Sequence, residues 1–331
     1  MHVAGRRFTS APESRAKPGN VRVGLVGVGR WGSNYLRTLR DHPHVQLAAL
    51  CDADSAALAR ATSDRPLPTF SHLAALLAAG VDAVILATPP ETHAALAVAA
   101  LDAGAHVLVE KPLSTTVDGA AAVVAAAHRS RRVCAVGHLT LHHEALAPGA
   151  PWRRAIGRIE RVSAERTSFG ASHSAESAIF GLASHDVATL LGPLELRARR
   201  VRARALAPPS GGQPPQAVVL DLVLEHPRGS VVTAEIRVSR LGPSRVRRAS
   251  IEGALGSFVF DEVREEPREG LLRRQCDAFA ARVHAGDAST REARLGADVV
   301  RVLVAAHTSM AASGAWIDTA ASVEPSEERA L

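Results

Sequence analysis

One stretch constrains this chain more than any other: Gly27-Val28-Gly29-Arg30-Trp31-Gly32, a glycine-rich turn between an apolar run and a helical pattern. The run before it, Val21–Gly27 (VRVGLVG), reads as a strand buried on both faces of a parallel sheet. Gly27 permits the tight turn, Gly29 lets a phosphate approach the backbone, and Gly32 allows close helix–strand packing. The helix that follows supplies N–H donors and a partial positive charge at its N-terminus. A second apolar strand, Val45–Cys51, closes on Asp52, 20 residues beyond Gly32. A carboxylate there accepts hydrogen bonds from ribose hydroxyls and repels a 2′-phosphate. Ala53, Asp54 and Ser55 follow, with no arginine, so the pattern predicts NAD(H) rather than NADP(H).

Strand and helix patterns keep alternating through the first half. Helices are expected at Trp31–Arg40, Ser55–Ala61, Ser71–Ala79 and Glu91–Ala103, and strands at Ala83–Thr88, His106–Val109 and Val133–Gly137. This is the pattern of a Rossmann-type, doubly wound parallel sheet. The texture changes after about residue 150. A helix at Ala178–Leu191 interrupts the strands Ile156–Thr167 and Leu194–Arg204. Four strands then follow without helices between them: Ala217–Glu225, Ser230–Ser239, Arg247–Glu252 and Leu255–Phe260. Helices Leu271–His284 and Arg291–Ser313 close the chain. The expected organisation is a flexible tail (1–20), a dinucleotide-binding domain (21–140), an α+β domain with a large, mainly antiparallel open sheet (141–319), and a polar tail (320–331). Too few helices remain to cover both faces of that sheet, so a homodimer or homotetramer formed through it is expected.

No apolar run reaches the roughly 20 residues a membrane helix needs. Arg6-Arg7-Phe8 faintly resembles an export signal but lacks an apolar segment after it. Cys51, Cys134 and Cys276 lie too far apart for a metal or redox pair, which favours a cytoplasmic location. The net charge of +6 comes from arginine: of 39 basic residues only Lys17 and Lys111 are lysines, and Lys17 lies in the tail. The arginine runs lack interleaved aromatics, FWY being 3%, so they read as solvated faces rather than a nucleic-acid surface. Lys111 is the folded chain's single amine, and an amine gives up its proton far more readily than a guanidinium.

Three segments together, Gly27–Gly32, Ala87-Thr88-Pro89-Pro90-Glu91-Thr92-His93 and Val109-Glu110-Lys111-Pro112-Leu113, resemble the glucose–fructose oxidoreductase/inositol dehydrogenase (Gfo/Idh/MocA) family. Within it the chain is similar to bacterial UDP-N-acetylglucosamine(uronate) 3-dehydrogenases, through Gly29–Asn34, Val136–Leu139, Arg166–Gly170, Glu176, Phe180–Asp186, Ser239–Pro243 and Phe260-Asp261. The resemblance implies NAD-dependent exchange of hydride at a secondary hydroxyl or ketone of a sugar or nucleotide sugar. It implies cofactor contacts from Arg30, Trp31, Thr88, Pro89, His93, Glu110 and Lys111, besides the glycines and Asp52. Lys111 and His185 become the candidate catalytic pair, with Lys111 at the carboxyl edge of the sheet, where such folds bind ligands. His138, His142, Arg166, His173 and Glu176 become candidate substrate contacts.

The chain also departs from the family pattern. Gly181 stands where an acid usually precedes the histidine by four residues, which shifts the proton chemistry toward Lys111. His142 and His173 replace the usual tyrosine and arginine, pointing to an altered substrate. His138 and His142 have the i,i+4 spacing of metal ligands, but His138 falls at a strand end and no paired acids join them, so no metal is expected. Two rivals remain: the same chemistry on an aminosugar or cyclitol of a natural-product pathway, and a non-catalytic NAD-binding sensor or scaffold on the same fold.

Overall fold

A computed structural model describes residues 19–168, 176–207, 214–262 and 267–319. The parallel sheet has the order β3-β2-β1-β4-β5-β6. Its strands are β1 Val21–Val26, β2 Val45–Cys51, β3 Thr69–Phe70, β4 Ala83–Leu86, β5 His106–Glu110 and β6 Cys134–Gly137. The central strands are unbroken apolar runs because helices cover both faces: Val23, Leu25, Val84, Leu86 and Leu108 are fully buried. The covering helices are α1 Gly32–Leu39, α2 Ser55–Ala61, α3 Leu73–Ala78, α4 Pro90–Asp102 and α5 Val117–Ser130. Asp54 caps α2 by accepting from Ala56 N, and Thr116 caps α5 by accepting from Gly119 N. The strand order reverses between β1 and β4, so the crevice at their carboxyl ends is the fold's ligand-binding point.

The second sheet has seven strands, ordered β12-β11-β7-β10-β9-β8-β13. These are β7 Ile159–Thr167, β8 Arg197–Ala205, β9 Ala217–Glu225, β10 Val231–Ser239, β11 Val246–Gly253, β12 Gly256–Asp261 and β13 Ile317–Asp318. All pairs are antiparallel except β7 with β10. A short helix, α6 Trp152–Ile156, leads into β7, and one face of the sheet packs on α7 Ser184–Leu191 and on the last helix, α9 Arg291–Ala311. The other carries ion pairs, among them Arg202–Asp221 and Arg237–Glu235.

Two features differ from expectation. The helix expected over Ala178–Leu191 divides into a widened π-type turn, Ile179–Ala183, followed by α7. The helix α8 Arg268–Ala285, assigned to the second domain, packs its Leu271, Leu272, Cys276 and Phe279 into the core of the first beside Val23 and Leu25. The last helix joins both cores, Val300 facing the first and Val299, Val302 and Leu303 the second. The cores around the two sheets are therefore joined by the last helix.

Candidate active site

At the crevice the glycine turn has the shape of a phosphate cradle. Gly27 has φ +88°, and a Cβ there would lie 2.7 Å from the Ala87 backbone. A Cβ on Gly32 would lie 2.0 Å from the Gly27 carbonyl oxygen, whereas one on Gly29 would meet nothing within 4 Å. The first and third glycines are thus needed for packing, and the middle one opens onto free space. No side chain caps α1, so its N-terminal N–H groups are not claimed by one. Asp52 Oδ2 accepts from Val28 N at 2.8 Å and Oδ1 from Asp54 N at 2.9 Å, which braces the turn and leaves each oxygen a second acceptor site. Arg30 is exposed at the turn, and the Arg268 guanidinium lies over the Trp31 ring, 5.2 Å from its centroid. These residues fit a dinucleotide.

Lys111 follows β5 at the same edge, and the Lys111–Pro112 peptide is cis. Its Nζ donates to the Gly181 carbonyl in the π-type turn at 3.1 Å and lies 3.9 Å from Glu176 Oε1. Burial pushes this amine below its ordinary value of 10.5; Glu176 and Glu110 draw it back up, and Arg240 and Arg166 add to the fall. Glu176 is itself held by Arg240, whose Nη2 donates to Glu176 Oε2 at 3.2 Å and whose Nη1 donates to the Glu176 carbonyl and to Gln216.

Two histidines complete the pocket. His138, at the end of β6, is 2% exposed, and neither ring nitrogen has a hydrogen-bond partner among the described residues. Desolvation, then Lys111 and His142, press its pKa down to about 3. His185, on α7, has an unpartnered buried Nδ1, and burial followed by Arg166 and Lys111 holds it well below its ordinary value. His142 is pressed to about 4, chiefly by burial and Arg274. Buried polar atoms left without partners carry a desolvation cost and mark where a ligand would bond. A pocket of neutral imidazoles and one amine suits a hydroxylated substrate and proton transfer.

Three expected contacts are corrected by the geometry. His93 is 1% exposed, its Nδ1 2.7 Å from the Pro112 carbonyl and its Nε2 2.9 Å from the Thr88 carbonyl. The ring's N–H donates to one of these carbonyls, and both nitrogens face the protein backbone between the β4 loop and the Lys111 loop, so the ring supports the cradle from behind. Glu110 is buried, accepts from Tyr35 OH at 2.6 Å and from Lys111 N at 3.2 Å, and is pushed up by desolvation. It locks the lysine loop from within the core. Arg166 is 4% exposed and is consumed by Asp186, bidentately at 2.9 and 3.0 Å, and by Glu262 at 2.9 Å. It ties β7 to α7, with its nitrogens engaged by these two acids. Of the rest, Thr88 Oγ1 is engaged with Thr92, Pro89 precedes α4, and Glu176 meets Lys111. His173 lies outside the described residues. Sequence reasoning missed Tyr35 and Gln275, which donates to Tyr35 OH at 2.8 Å. The signal was there: Tyr35 is the chain's single tyrosine. Among the described residues no cluster could hold a metal, and no helix is long and apolar enough to cross a membrane.

Residues 21–138 match a family described as "Oxidoreductase family, NAD-binding Rossmann fold" (GFO_IDH_MocA). A "Glycosyl hydrolase family 109 protein" of Shewanella sp. (strain W3-18-1) is 34% identical over 125 residues, 34% of this chain and 27% of the relative. A UDP-N-acetylglucosamine 3-dehydrogenase of Acidithiobacillus ferrooxidans is 34% identical over 127 residues, 38% of this chain and 40% of the relative. The chain therefore spans less than half the length of these curated relatives. Likeness over the whole length comes from solved structures. GenD2 from gentamicin A biosynthesis, crystallised in complex with NAD, superposes with TM-score 0.80 over 95% of this chain and 100% of that one at 23% identity, which shows a shared fold.

Proposed function

From the premise that its residues 21–138 belong to the Gfo/Idh/MocA oxidoreductases, with their NAD-binding Rossmann fold, we propose that the protein is an NAD(H)-dependent dehydrogenase or reductase acting on a secondary hydroxyl or ketone of a sugar. The observation that carries this reading is the Lys111 amine, half-buried at the carboxyl edge between the cradle and α7, bonded to the Gly181 carbonyl and lowered below its ordinary value by desolvation. Bound NAD supplies the hydride acceptor. For a hydride to leave carbon, the hydroxyl on the same carbon must lose its proton as the carbonyl forms. Lys111 takes that proton on Nζ, while its N–H to the Gly181 carbonyl aims the lone pair into the pocket. His138 and His185 bond the reacting oxygen or its neighbours through their unpartnered nitrogens.

A nucleotide sugar, oxidised at C3 of a UDP-N-acetylhexosamine, is the first substrate class, on the Acidithiobacillus relative. Whole-length likeness to a protein of gentamicin A biosynthesis favours a second class, an aminosugar or cyclitol of a natural-product route. Incubating the enzyme with NAD and a panel of UDP-sugars and aminocyclitols, followed by absorbance at 340 nm, separates them. A homo-oligomer formed through the open face of the second sheet belongs to the same reading, and sedimentation equilibrium tests it. Lys111→Met is expected to lower turnover by about 10²–10⁴-fold while NADH affinity stays within a few-fold. Lys111→Arg fares nearly as badly, because a guanidinium cannot act as a base near neutrality; near-parental turnover of that variant refutes the mechanism. Asp52→Ala removes an ionised acceptor and the Val28 brace, so NADH binding weakens by about tenfold or more and its margin over NADPH narrows in calorimetric titration.

A further inference from the structure

Position 181 has no side chain, and the space a side chain would use is full. A Cβ there would lie 2.0 Å from Arg240 Nη2 and 2.6 Å from Glu176 Oε2. The Arg240–Glu176 pair therefore occupies the volume of the missing side chain, directly against the backbone that receives Lys111. Arg240 is 6% exposed and grips Glu176 by both its carbonyl and its carboxylate, so the acid is seated rather than waving in solvent. The other oxygen of that carboxylate, Oε1, is the one turned to Lys111 Nζ, at 3.9 Å.

We propose that Glu176, seated by Arg240 in the room Gly181 leaves, is the positioning carboxylate of Lys111: the counter-ion that receives its ammonium once the amine has taken the substrate proton. The inference rests on the reading of Lys111 as the proton acceptor. The order of events follows from charge. The amine accepts a proton at Nζ from the hydroxyl, so positive charge appears in a desolvated place, and a fixed anion about 4 Å away stabilises it. Arg240 opposes the effect, since its positive charge disfavours the ammonium that Glu176 favours. The other charged or titratable groups around the amine are Glu110 beneath it, Arg166 from β7, His138 from β6 and His185 from α7. Of these, Glu110 faces Tyr35 and the Lys111 backbone N–H, and Arg166 is paired with Asp186 and Glu262, so neither is placed to do what Glu176 does.

The chain's lysine count makes a direct test available. With lysine labelled at ¹³Cε, the full-length protein gives two side-chain signals, Lys17 and Lys111, and Lys17→Arg assigns them. In Glu176→Gln the titration midpoint of Lys111 is expected to fall by about 1 pH unit, the change produced by losing an opposite charge at this range. The rising limb of kcat/KM with pH in the oxidation direction is expected to move down with it. Combining Gly181→Asp with Glu176→Ala, which vacates the acid's place, returns a carboxylate to the same volume beside the flexible tip of Arg240, and is expected to bring the midpoint back toward the parent. An unmoved Lys111 midpoint in Glu176→Gln overturns the proposal. A lowered midpoint alongside undiminished turnover of Lys111→Met supports the pairing and overturns instead the assignment of Lys111 as the base.

Discussion

His185 and Asp186 are consecutive on α7, yet they face two buried polar clusters of opposite character. Asp186 turns toward the second sheet, where Arg166, Glu262 and Arg247 join it and each charge meets its opposite. His185 turns toward the crevice, where its Nδ1 and both nitrogens of His138 have no partner among the described residues; the hydroxyl of the preceding Ser184 is likewise buried and unpartnered. Burial alone does not distinguish the two; satisfaction does. A buried cluster that answers all its own charges is holding elements together, here β7 and α7 through Arg166. A buried cluster that leaves donors and acceptors open carries a standing cost, which a ligand with hydroxyl groups would relieve.

Breaking the closed cluster should have the largest effect on stability. Arg166→Met leaves Asp186 and Glu262 buried with one cation, Arg247, between them. Removing one partner of a buried ion cluster typically costs about 3–5 kcal/mol. The urea midpoint is expected to drop accordingly with an unchanged slope. Replacing Asp186 and Glu262 along with Arg166 by apolar residues of similar volume is expected to recover much of that loss, because no orphaned charge remains. An Arg166→Met variant as stable as the parent contradicts the structural reading of Arg166 and returns it to the list of substrate contacts.

The open cluster should reveal itself through pH. His138 has a folded pKa of about 3, below the ordinary 6.5, so the unfolded chain binds the proton first as pH falls. Its contribution to stability is complete above about pH 6.5 and is lost as the pH drops toward 3. Between pH 7 and pH 5 that amounts to about 2 kcal/mol from His138. His142, at about 4, and His185 act in the same direction. The difference between urea-derived stabilities at pH 7 and pH 5 is expected to shrink by about 2 kcal/mol in His138→Leu. The closed cluster responds in a lower window: Glu262, held near 2 against the ordinary 4.5 by Arg166 and Arg247, gives up its share only as pH falls from about 4.5 to 2. A stability curve flat between pH 7 and pH 5 contradicts the neutral-imidazole pocket.

The two clusters were unequally legible in the sequence. Parallel strands write themselves as apolar runs, so Val21–Val26, Ala83–Leu86 and His106–Glu110 stand out, and the glycine turn and Asp52 follow from local spacing. Lys111 was visible through lysine's near-absence. What escaped depends on contacts between distant residues or on departures from regular geometry. Glu176 meets Arg240 across 64 residues, and neither type nor spacing announces that pairing. Gly181 looked like a missing acid, whereas it makes room for one supplied from elsewhere. The π-type turn at Ile179–Ala183 was read as plain helix, since its apolar residues fit a 3.6-residue period closely enough. The family resemblance points Arg166 and His93 at ligands, and only their neighbours show that the guanidinium is paired and that the imidazole nitrogens face backbone carbonyls.

The smallest effect gives the sharpest contrast between the two clusters. Ser184 is fully buried at the start of α7, and its Oγ has no hydrogen-bond partner among the described residues. Ser184→Ala removes one desolvated hydroxyl without opening a cavity a neighbour must fill, and alanine favours the helix slightly more than serine. Deleting a group from the closed cluster orphans its partners; deleting this one orphans nothing. Ligand-free stability is therefore expected to stay level or rise, by about 1 kcal/mol at most. If the hydroxyl instead meets substrate or cofactor, the same variant shows a raised KM, or weaker NADH binding, despite its sound fold. Urea denaturation beside steady-state kinetics separates these outcomes, and a loss of stability comparable to that of Arg166→Met would place Ser184 with the closed cluster after all.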